Sequence, residues 1–459
     1  TCSATTPARR SWAGSPATIN HCIMLYRYDF RYSIAKFYFN NALRLNFSKI
    51  VFTGRSEHVS KQRPVIFAPN HRNALLDALL VVMATYHRKQ VVFLARADIF
   101  KQKLIAWVLR GMRIMPVFRM RDGKDNLDRN NEIFNNAARI LKQNNQLALF
   151  PEGVHNPKQS LLPIRKAVPR IVLPTEASTG FTLNSQIVPV SIYYRDIFAF
   201  LSDVYITFGT PIEVNQYRDL YNENPVLAVN ALRQELEESL KKMVVNIQSE
   251  EYYDDYRRAI DWNGDRLSEE LFTGQKDGFL QASLHIVREL DRLQEEDQVT
   301  FEKKMAQFRE AYELMNKEGL RSTDRLWKPK TTTLLTTRIL ALLISVPIAL
   351  IGFLNGIFPI LIQKKLQSLF KDKQFVASAR YASGLIFVPL FDLLQTLAVW
   401  FITGQWLPTI AYFLLMPITF YFALYWRKWW KQLQRDNKVH RFATQKPEKW
   451  QQLLALIRL

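Results

Sequence analysis

Three long apolar stretches near the carboxyl end constrain the fold of this chain more than any other feature. They cover residues 339–362, 385–403 and 407–425, and each is long enough to cross the roughly 30 Å hydrocarbon core of a bilayer as a helix. Only residues 404–406 separate the second stretch from the third, which predicts a tight helical hairpin over 385–425. We therefore expect residues 331–430 to be embedded in a membrane.

The first apolar stretch is rich in residues that interrupt straight helices. We therefore favour a re-entrant segment over residues 339–362, bent between Gly352 and Gly356, and a full crossing is the alternative. The residues concerned are Pro347, Gly352, Asn355, Gly356 and Pro359.

Basic residues flank the predicted hairpin on both sides, and the excess of Lys and Arg in short loops marks the cytoplasmic side of a membrane. This rule places both flanks in the cytoplasm and the tip at Gln405 outside. We predict a bacterial cytoplasmic membrane, with residues 50–225 facing the cytoplasm. The flanking residues are Lys364, Lys365, Lys371 and Lys373 before the hairpin, and Arg427, Lys428 and Lys431 after it.

The formal charge of +21 and the 48% of hydrophobic residues exclude a disordered chain and favour an anionic partner. Nucleic acid and an acidic membrane surface both fit such a charge. The apolar stretches decide for the membrane, because a soluble nucleic-acid-binding protein has no need of them. The basic residues are also spread over the membrane flanks, so we predict no nucleic-acid partner.

The amino-terminal segment divides into two parts. Residues 1–23 lack hydrophobic periodicity, and we expect a disordered or non-native leader with Met24 as the natural start. Residues 24–49 mix aromatic and basic side chains, which is typical of an amphipathic helix at a membrane interface; a helix packed on the catalytic domain is the alternative. Cys2 and Cys22 are too few for a Cys-based metal site, and we expect no bound metal.

Short apolar runs alternate with helical patterns over residues 50–225. Such alternation predicts an α/β domain with a mostly parallel sheet flanked by helices, in which functional residues collect where strands end. The charged, helix-periodic residues 226–330 predict a helical hairpin or bundle, and residues 431–459 a cytoplasmic basic tail helix. The predicted strands are residues 65–70, 91–96, 114–119, 146–150, 187–194 and 204–209.

A histidine and an aspartate follow the first predicted strand, in PNHRNALLDALL at residues 69–80. A carboxylate that fixes the imidazole tautomer is the usual way to build a general base. On one continuous helix His71 and Asp77 would point about 120° apart, so their pairing requires a non-helical turn at His71. A capping or surface histidine is the alternative. Backbone N–H groups after Asn70 are candidates for stabilising an oxyanion.

Two further motifs follow predicted strands. FPEG, residues 150–153, places Glu152 at the sheet edge to accept bonds from hydroxyl groups, and Gly153 allows close backbone approach. RIMPVFRMRDG, residues 113–123, ends an apolar run with Arg119 and Arg121, whose guanidinium groups suit phosphate. Solvated charged residues are the alternative for both motifs.

Together, NHRNALLD, GMRIMPVFR, FPEG and IVPVSIYY, in this order over roughly residues 50–220, resemble the glycerol-phosphate and lysophosphatidate acyltransferase (PlsC-like) family. The resemblance implies that His71 is the base and Asp77 its partner. It implies a substrate-binding role for Asn70, Arg119, Arg121, Glu152 and Gly153, and it places Pro189 in the strand near the acyl donor. Two departures are an extra residue between His71 and Asp77 and a longer interval before Arg119.

The resemblance also implies the chemistry. A fatty acyl group would pass from acyl-CoA or an acyl-carrier protein to a glycerol-phosphate-type acceptor at the membrane, without a cofactor. Lysophosphatidate is the favoured acceptor, and glycerol 3-phosphate or another lysophospholipid is the alternative. A membrane lipid-binding scaffold without catalysis is the alternative from a different class. His71, Asp77 and Glu152, all present in the family's order, favour the enzyme.

Overall fold

The computed structural model describes residues 30–85, 90–100, 106, 109, 111–117, 126–369 and 376–459. The leader predicted at 1–23 lies outside these residues, as do Arg119, Arg121, Lys371 and Lys373.

A mixed sheet of eight strands forms the centre of the acyltransferase-like region, in the order β1-β7-β6-β2-β5-β3-β4, with β8 also paired to β6. All pairings are parallel except those of β6 with β7 and β8. The turn from β6 to β7 is too short for the crossover that parallel strands need. The mostly parallel sheet is confirmed. The strands are β1 Lys49–Thr53, β2 Val65–Pro69, β3 Val91–Arg96, β4 Ile114–Val117, β5 Gln146–Leu149, β6 Gln186–Tyr194, β7 Asp203–Phe208 and β8 Ile212–Glu213.

Helices cover both faces of the sheet, because its central strands are apolar on both sides. In β2, Ile66 belongs to one buried cluster and Phe67 to another, on the opposite face. The helices of this region are α1 Phe30–Asn46, α2 Arg55–His58, α3 Ala74–Ala84, α4 Asn126–Lys142, α5 Ala167–Ala177, α6 Arg218–Glu223 and α7 Pro225–Met243.

Helix α1 combines the two alternatives considered for residues 24–49. Tyr32 and Leu43 are buried against the catalytic domain. Phe30, Ile34 and Phe37 recur at helical spacing and are 69%, 55% and 67% exposed. A helix that packs on the domain and still presents an aromatic face is suited to a membrane surface.

The carboxyl-terminal half of the chain is helical. The bundle predicted over 226–330 packs in one buried cluster with the last two helices, so Leu326 and Val439 share a core. The chain therefore enters and leaves the apolar region on the same side. The helices are α8 Tyr253–Leu271, α9 Gly278–Glu296, α10 Gln298–Lys317, α11 Thr332–Ile344, α12 Val346–Ser368, α13 Val376–Thr403, α14 Trp406–Gln445 and α15 Pro447–Ile457.

Within the described part of the chain, three helices, α12, α13 and α14, are long and apolar enough to cross a membrane. The hairpin turn predicted at Gln405 is present, since α13 ends at Thr403 and α14 begins at Trp406. The predicted break between Gly352 and Gly356 is wrong: α12 is helical throughout, and the helical run is interrupted at Ser345 instead. The basic tail is also not a separate helix from 431, because α14 continues to Gln445.

The glycines of α12 serve close packing. A Cβ atom at Gly352 would lie 2.0 Å from the carbonyl oxygen of Thr419, and one at Gly356 would lie 2.2 Å from the ring of Phe420. Both contacts are with α14, so small residues here let the two helices approach, as is usual between helices in membranes.

Gly352→Ala should therefore destabilise the helical part by about 1–3 kcal/mol, because the added methyl group meets backbone that cannot move aside. Thermal unfolding in detergent measures this loss. Gly384→Ala is the matched control, since its Cβ would meet only the flexible end of Gln363, at 3.1 Å. Equal unfolding temperatures for the two variants would contradict the close-packing role of Gly352.

Candidate active site

The site lies where β2 and β5 end, side by side. Phe67 pairs with Ala148 in the parallel ladder, so the segments that follow the two strands emerge at the same edge of the sheet. One carries Asn70 and His71, and the other carries Glu152. Sequence-distant motifs meet here because parallel strands end together.

His71 and Asp77 form the predicted pair, with 2.9 Å between His71 Nδ1 and Asp77 Oδ2. The extra residue between them is accommodated before the helix begins: Asn73 is the N-cap of α3 and has extended backbone angles (φ −137°, ψ 98°). Residues 71–73 therefore turn back over the first turn of α3, where Asp77 lies. The departure from the family's spacing does not separate the two side chains.

Asp77 is fully buried and accepts four hydrogen bonds. Its Oδ2 atom accepts from the backbone N–H groups of Arg72 at 2.7 Å and Asn73 at 2.6 Å as well as from His71. Its Oδ1 atom accepts from the Tyr194 hydroxyl at 2.6 Å. Such a set of donors compensates the cost of burying a carboxylate.

The ring of His71 is held on its other sides. It stacks on Phe150 with ring centroids 3.8 Å apart and an interplanar angle of 13°, and the His155 ring lies edge-on at 5.5 Å. Because Nδ1 faces Asp77, Nε2 is the nitrogen left for a substrate. The side chain is 13% exposed, so this nitrogen lies in a narrow opening.

Glu152 holds the backbone of the site together. Its Oε1 atom accepts from the His71 N–H at 2.7 Å, and Oε2 accepts from the Leu162 N–H at 2.9 Å. The Asn156 N–H in turn donates to the His71 carbonyl at 2.8 Å. Glu152 is 2% exposed, so among the described residues its carboxylate contacts protein groups. A contact with an acceptor hydroxyl stays a prediction.

Gly153 completes this turn in the left-handed region, with φ 75°, where glycine carries no steric cost. The carboxyl end of the turn is tied back by the Arg165 N–H, which donates to the Pro151 carbonyl at 2.8 Å. Phe-Pro-Glu-Gly is therefore a rigid loop that delivers a carboxylate to the His71 backbone.

Burial raises the pKa of Glu152 to about 7, although its backbone hydrogen bonds favour the charged form. A carboxyl whose pKa is raised on folding stabilises the protein at low pH, and this stabilisation is lost as the pH rises through about 7. Burial and the nearby Asp77 carboxylate also raise the pKa of Tyr194 well above its ordinary value. Tyr194 therefore keeps its proton and donates a hydrogen bond to Asp77.

We expect Glu152→Gln to remove this pH dependence. The unfolding temperature of the wild type should fall relative to that of the variant between pH 5 and pH 8.5, because only the wild type gains a buried charge. The variant itself loses an acceptor for one N–H group, which costs about 1–3 kcal/mol. Thermal unfolding at several pH values measures both effects. A parallel pH profile for the two proteins would exclude ionisation of Glu152 in this range.

The predicted oxyanion role of the backbone after Asn70 is wrong. The N–H groups of residues 70–73 all have partners: Val190 O, Glu152 Oε1 and, twice, Asp77 Oδ2. The Asn70 side chain is also engaged, since its amide oxygen accepts from the Ile192 N–H at 2.7 Å. Asn70 thereby locks β2 to β6, and its predicted contact with substrate stays a prediction.

Arg119 and Arg121 lie outside the described residues. The strand before them, β4, is third along the sheet from β2, with β5 and β3 between, which corresponds to roughly 14 Å at the usual strand spacing. β4 is parallel to β3, so it ends at the same edge as the His71 segment. Their predicted role in binding phosphate stays a prediction.

Sequence reasoning missed three contacts of the site. Tyr194 was read only as part of a strand, although a buried tyrosine needs a hydroxyl partner. Arg72 is 7% exposed and donates to the Pro157 carbonyl at 2.7 Å. Ser378, at the start of α13, donates to Asn73 Oδ1 at 2.7 Å. No local pattern marks Ser378, because its partner is some 300 positions away.

A family model described as Acyltransferase matches residues 50–193, the segment that holds the strands β1–β6 and the His71–Asp77 pair. This segment is therefore similar to acyltransferase domains. Part of the chain is 29% identical, over 118 residues, to the glycerol-3-phosphate O-acyltransferase 2 of Saccharomyces cerevisiae. That match covers 26% of this chain and 16% of the yeast protein.

A solved structure also matches part of this chain. The 1-acyl-sn-glycerophosphate acyltransferase PlsC from Thermotoga maritima is 16% identical, with a TM-score of 0.34, and the match covers 51% of this chain and 90% of that one. The family match and the yeast relative, without this structure, confirm the predicted resemblance to the acyltransferase family.

Proposed function

We propose that this chain transfers a fatty acyl group from an acyl thioester to a hydroxyl of a glycerol-phosphate-type lipid acceptor, with lysophosphatidate favoured. The contact of 2.9 Å between His71 Nδ1 and Asp77 Oδ2 carries the proposal. It fixes the proton on Nδ1 and leaves Nε2 unprotonated, which is the state that a general base requires.

In the reaction, His71 Nε2 takes the proton of the acceptor hydroxyl as its oxygen attacks the thioester carbonyl. The imidazolium that forms is stabilised by the buried Asp77 carboxylate. It then gives the proton to the departing thiolate, so the products are an ester and a free thiol. The thioester is already activated, and no acyl-enzyme is needed.

For the donor we propose acyl-CoA or an acyl-carrier protein. Both carry negative charge, and Arg165, Lys166 and Arg170 are exposed just after the Glu152 turn. Arg165 is tied to that turn through its backbone bond to Pro151, so this positive surface lies close to His71 and would attract either donor.

We propose that the acyltransferase domain faces the cytoplasm. Lys428, in the basic flank of α14, donates to the Leu201 carbonyl at 2.7 Å, so the flank and the domain lie on the same side. Positive charge marks that side as cytoplasmic. Leu326 and Val439 share one core, which requires an even number of crossings between them. α13 and α14 supply two, and α11 with α12 then make no net crossing.

Purified protein in detergent should be given radiolabelled acyl-CoA or acyl-carrier protein, with lysophosphatidate and glycerol 3-phosphate in separate reactions. We expect label in phosphatidate, with a larger kcat/KM for lysophosphatidate. If only glycerol 3-phosphate reacted, lysophosphatidate would be excluded as the acceptor, and the proposed acyl transfer would stand. Failure of both acceptors with both donors would favour the non-catalytic lipid-binding alternative.

A further inference from the structure

A cavity of about 970 Å³ lies between the acyltransferase domain and the membrane helices. Its walls come from α1, the turn between β6 and β7, the helix α8, the segment after α10, and the helices α12, α13 and α14. His71, Asp77 and Glu152 are not among its lining residues. Its volume is that of sites that enclose sizeable organic ligands.

The lining of the cavity is divided into an apolar end and a cationic end. On α13, Arg380 lines the cavity first, and Leu385 and Val388 follow toward the hairpin tip. On α14 the order is reversed: Leu424 comes before Arg427. Because the two helices form a hairpin and run in opposite directions, their cations meet at one end of the cavity and their apolar side chains at the other.

The cations of this end are in excess over the acids that pair with them. Among the described residues, Lys364, Arg427 and Lys431 line the cavity without a carboxylate within ion-pair distance. Arg380 donates from Nη1 to the Phe198 carbonyl at 3.0 Å, but its Nε atom is buried without a hydrogen-bond partner in the same set of residues. Of the acids that line the cavity, Asp436 is already paired with Arg338 at 2.9 Å and Asp324 with Arg435 at 3.9 Å. The lining also includes the acids Asp196, Asp203, Asp261 and Asp392.

We propose that this cavity binds an anionic phospholipid of the bilayer, with its phosphate among Arg380, Arg427 and Lys431 and its acyl chains along Leu385, Val388 and Leu424. Charge complementarity selects the head group. The apolar end lies on helices whose outer faces are exposed and apolar, as at Ile386 and Leu414, so the chains stay within the hydrocarbon layer. A water-soluble anion would leave this end of the cavity unfilled.

The proposed lipid would also act on the acyltransferase domain through α13. Ser378, two residues before Arg380, donates to Asn73 Oδ1 and accepts from the Leu75 N–H at 3.2 Å. Asn73 caps the helix that carries Asp77. A lipid phosphate on Arg380 therefore orders the same helical turn that holds the start of α3, and we expect the lipid to raise the unfolding temperature.

Binding can be measured with delipidated full-length protein in non-ionic detergent micelles, titrated with radiolabelled dioleoylphosphatidylglycerol. This lipid is neither substrate nor product of the proposed reaction, so the result does not depend on it. We expect saturable binding of about one lipid per chain. An excess of dioleoylphosphatidylcholine or inorganic phosphate should displace it poorly. Equal displacement by either competitor, or no saturation, would overturn the proposal.

The double variant Arg427→Gln/Lys431→Gln should weaken this binding about tenfold, as expected for the loss of two exposed phosphate contacts. The matched control is Lys365→Gln/Arg441→Gln, which removes the same charge from exposed positions outside the cavity. We expect the control to bind within about twofold of the wild type. Equal weakening in both variants would show a diffuse charge effect and would overturn the site. All four positions are exposed, so both variants should fold.

Discussion

Replacing His71 by alanine should lower kcat for acyl transfer by at least about 100-fold, which is the usual contribution of a positioned general base. The KM for the acceptor should change little, because Asp77, Glu152 and their backbone partners remain. The measurement is the steady-state rate with the acceptor and donor that the wild type prefers, at the same pH for both proteins.

His155→Ala is the matched control for this variant. The two imidazole rings are 5.5 Å apart, and His71 has its Nδ1 atom on the buried Asp77 carboxylate. We therefore expect the control to keep at least about a fifth of the wild-type rate. Full activity in His71→Ala together with loss of activity in His155→Ala would show that our mechanism assigns the base to the wrong histidine.

Replacing Asp77 by asparagine should lower kcat by roughly 100-fold or more, while the protein still folds. The amide oxygen can take the place of Oδ2 and accept the bonds from His71, Arg72 and Asn73. The amide NH₂ then faces the Tyr194 hydroxyl, which can rotate to accept. The tautomer of His71 is thus retained, and the loss measures how much the negative charge stabilises the imidazolium.

The control for this second variant is Tyr194→Phe, which removes one hydrogen bond from Asp77 and leaves its charge. A hydrogen bond to a charged group contributes about 1.5–3 kcal/mol to stability. Because the charge that stabilises the imidazolium remains in this variant, the rate should fall by no more than about tenfold. Equal losses of kcat in the two variants would show that Asp77 only holds residues 71–73 in place and that its charge does not stabilise the imidazolium. Thermal unfolding of both variants separates loss of structure from loss of catalysis.

The predictable part of the fold is the part that depends on local pattern. The runs at 65–70, 91–96, 146–150 and 187–194 became β2, β3, β5 and β6 within a residue or two, since near-continuous apolar runs suit buried parallel strands. The edge strand β1 was missed, because five residues, KIVFT, carry little periodicity. In α12, glycine and proline were read as breakers, yet within a packed bundle they allow close contact with α14.

The sequence predicted which residues form the site. The motifs indicated that His71, Asp77 and Glu152 belong together, and the order of the strands brings them to one edge. The sequence could not show what each side chain contacts. Glu152 was expected to face a substrate hydroxyl. In the structure its carboxylate accepts hydrogen bonds from the N–H groups of His71 and Leu162. The direction of a hydrogen bond depends on backbone torsions that residue identity does not determine.

The amino-acid sequence by itself determined that this protein has an α/β domain with a candidate histidine–aspartate pair and a separate apolar region, because period and residue type are local properties. Only the tertiary structure decided that the turn before α3 closes the distance between His71 and Asp77. It alone placed the cations of α13 and α14 at one end of a cavity. Both arrangements depend on how distant segments approach in space, and packing and hydrogen bonding of the whole chain determine that approach.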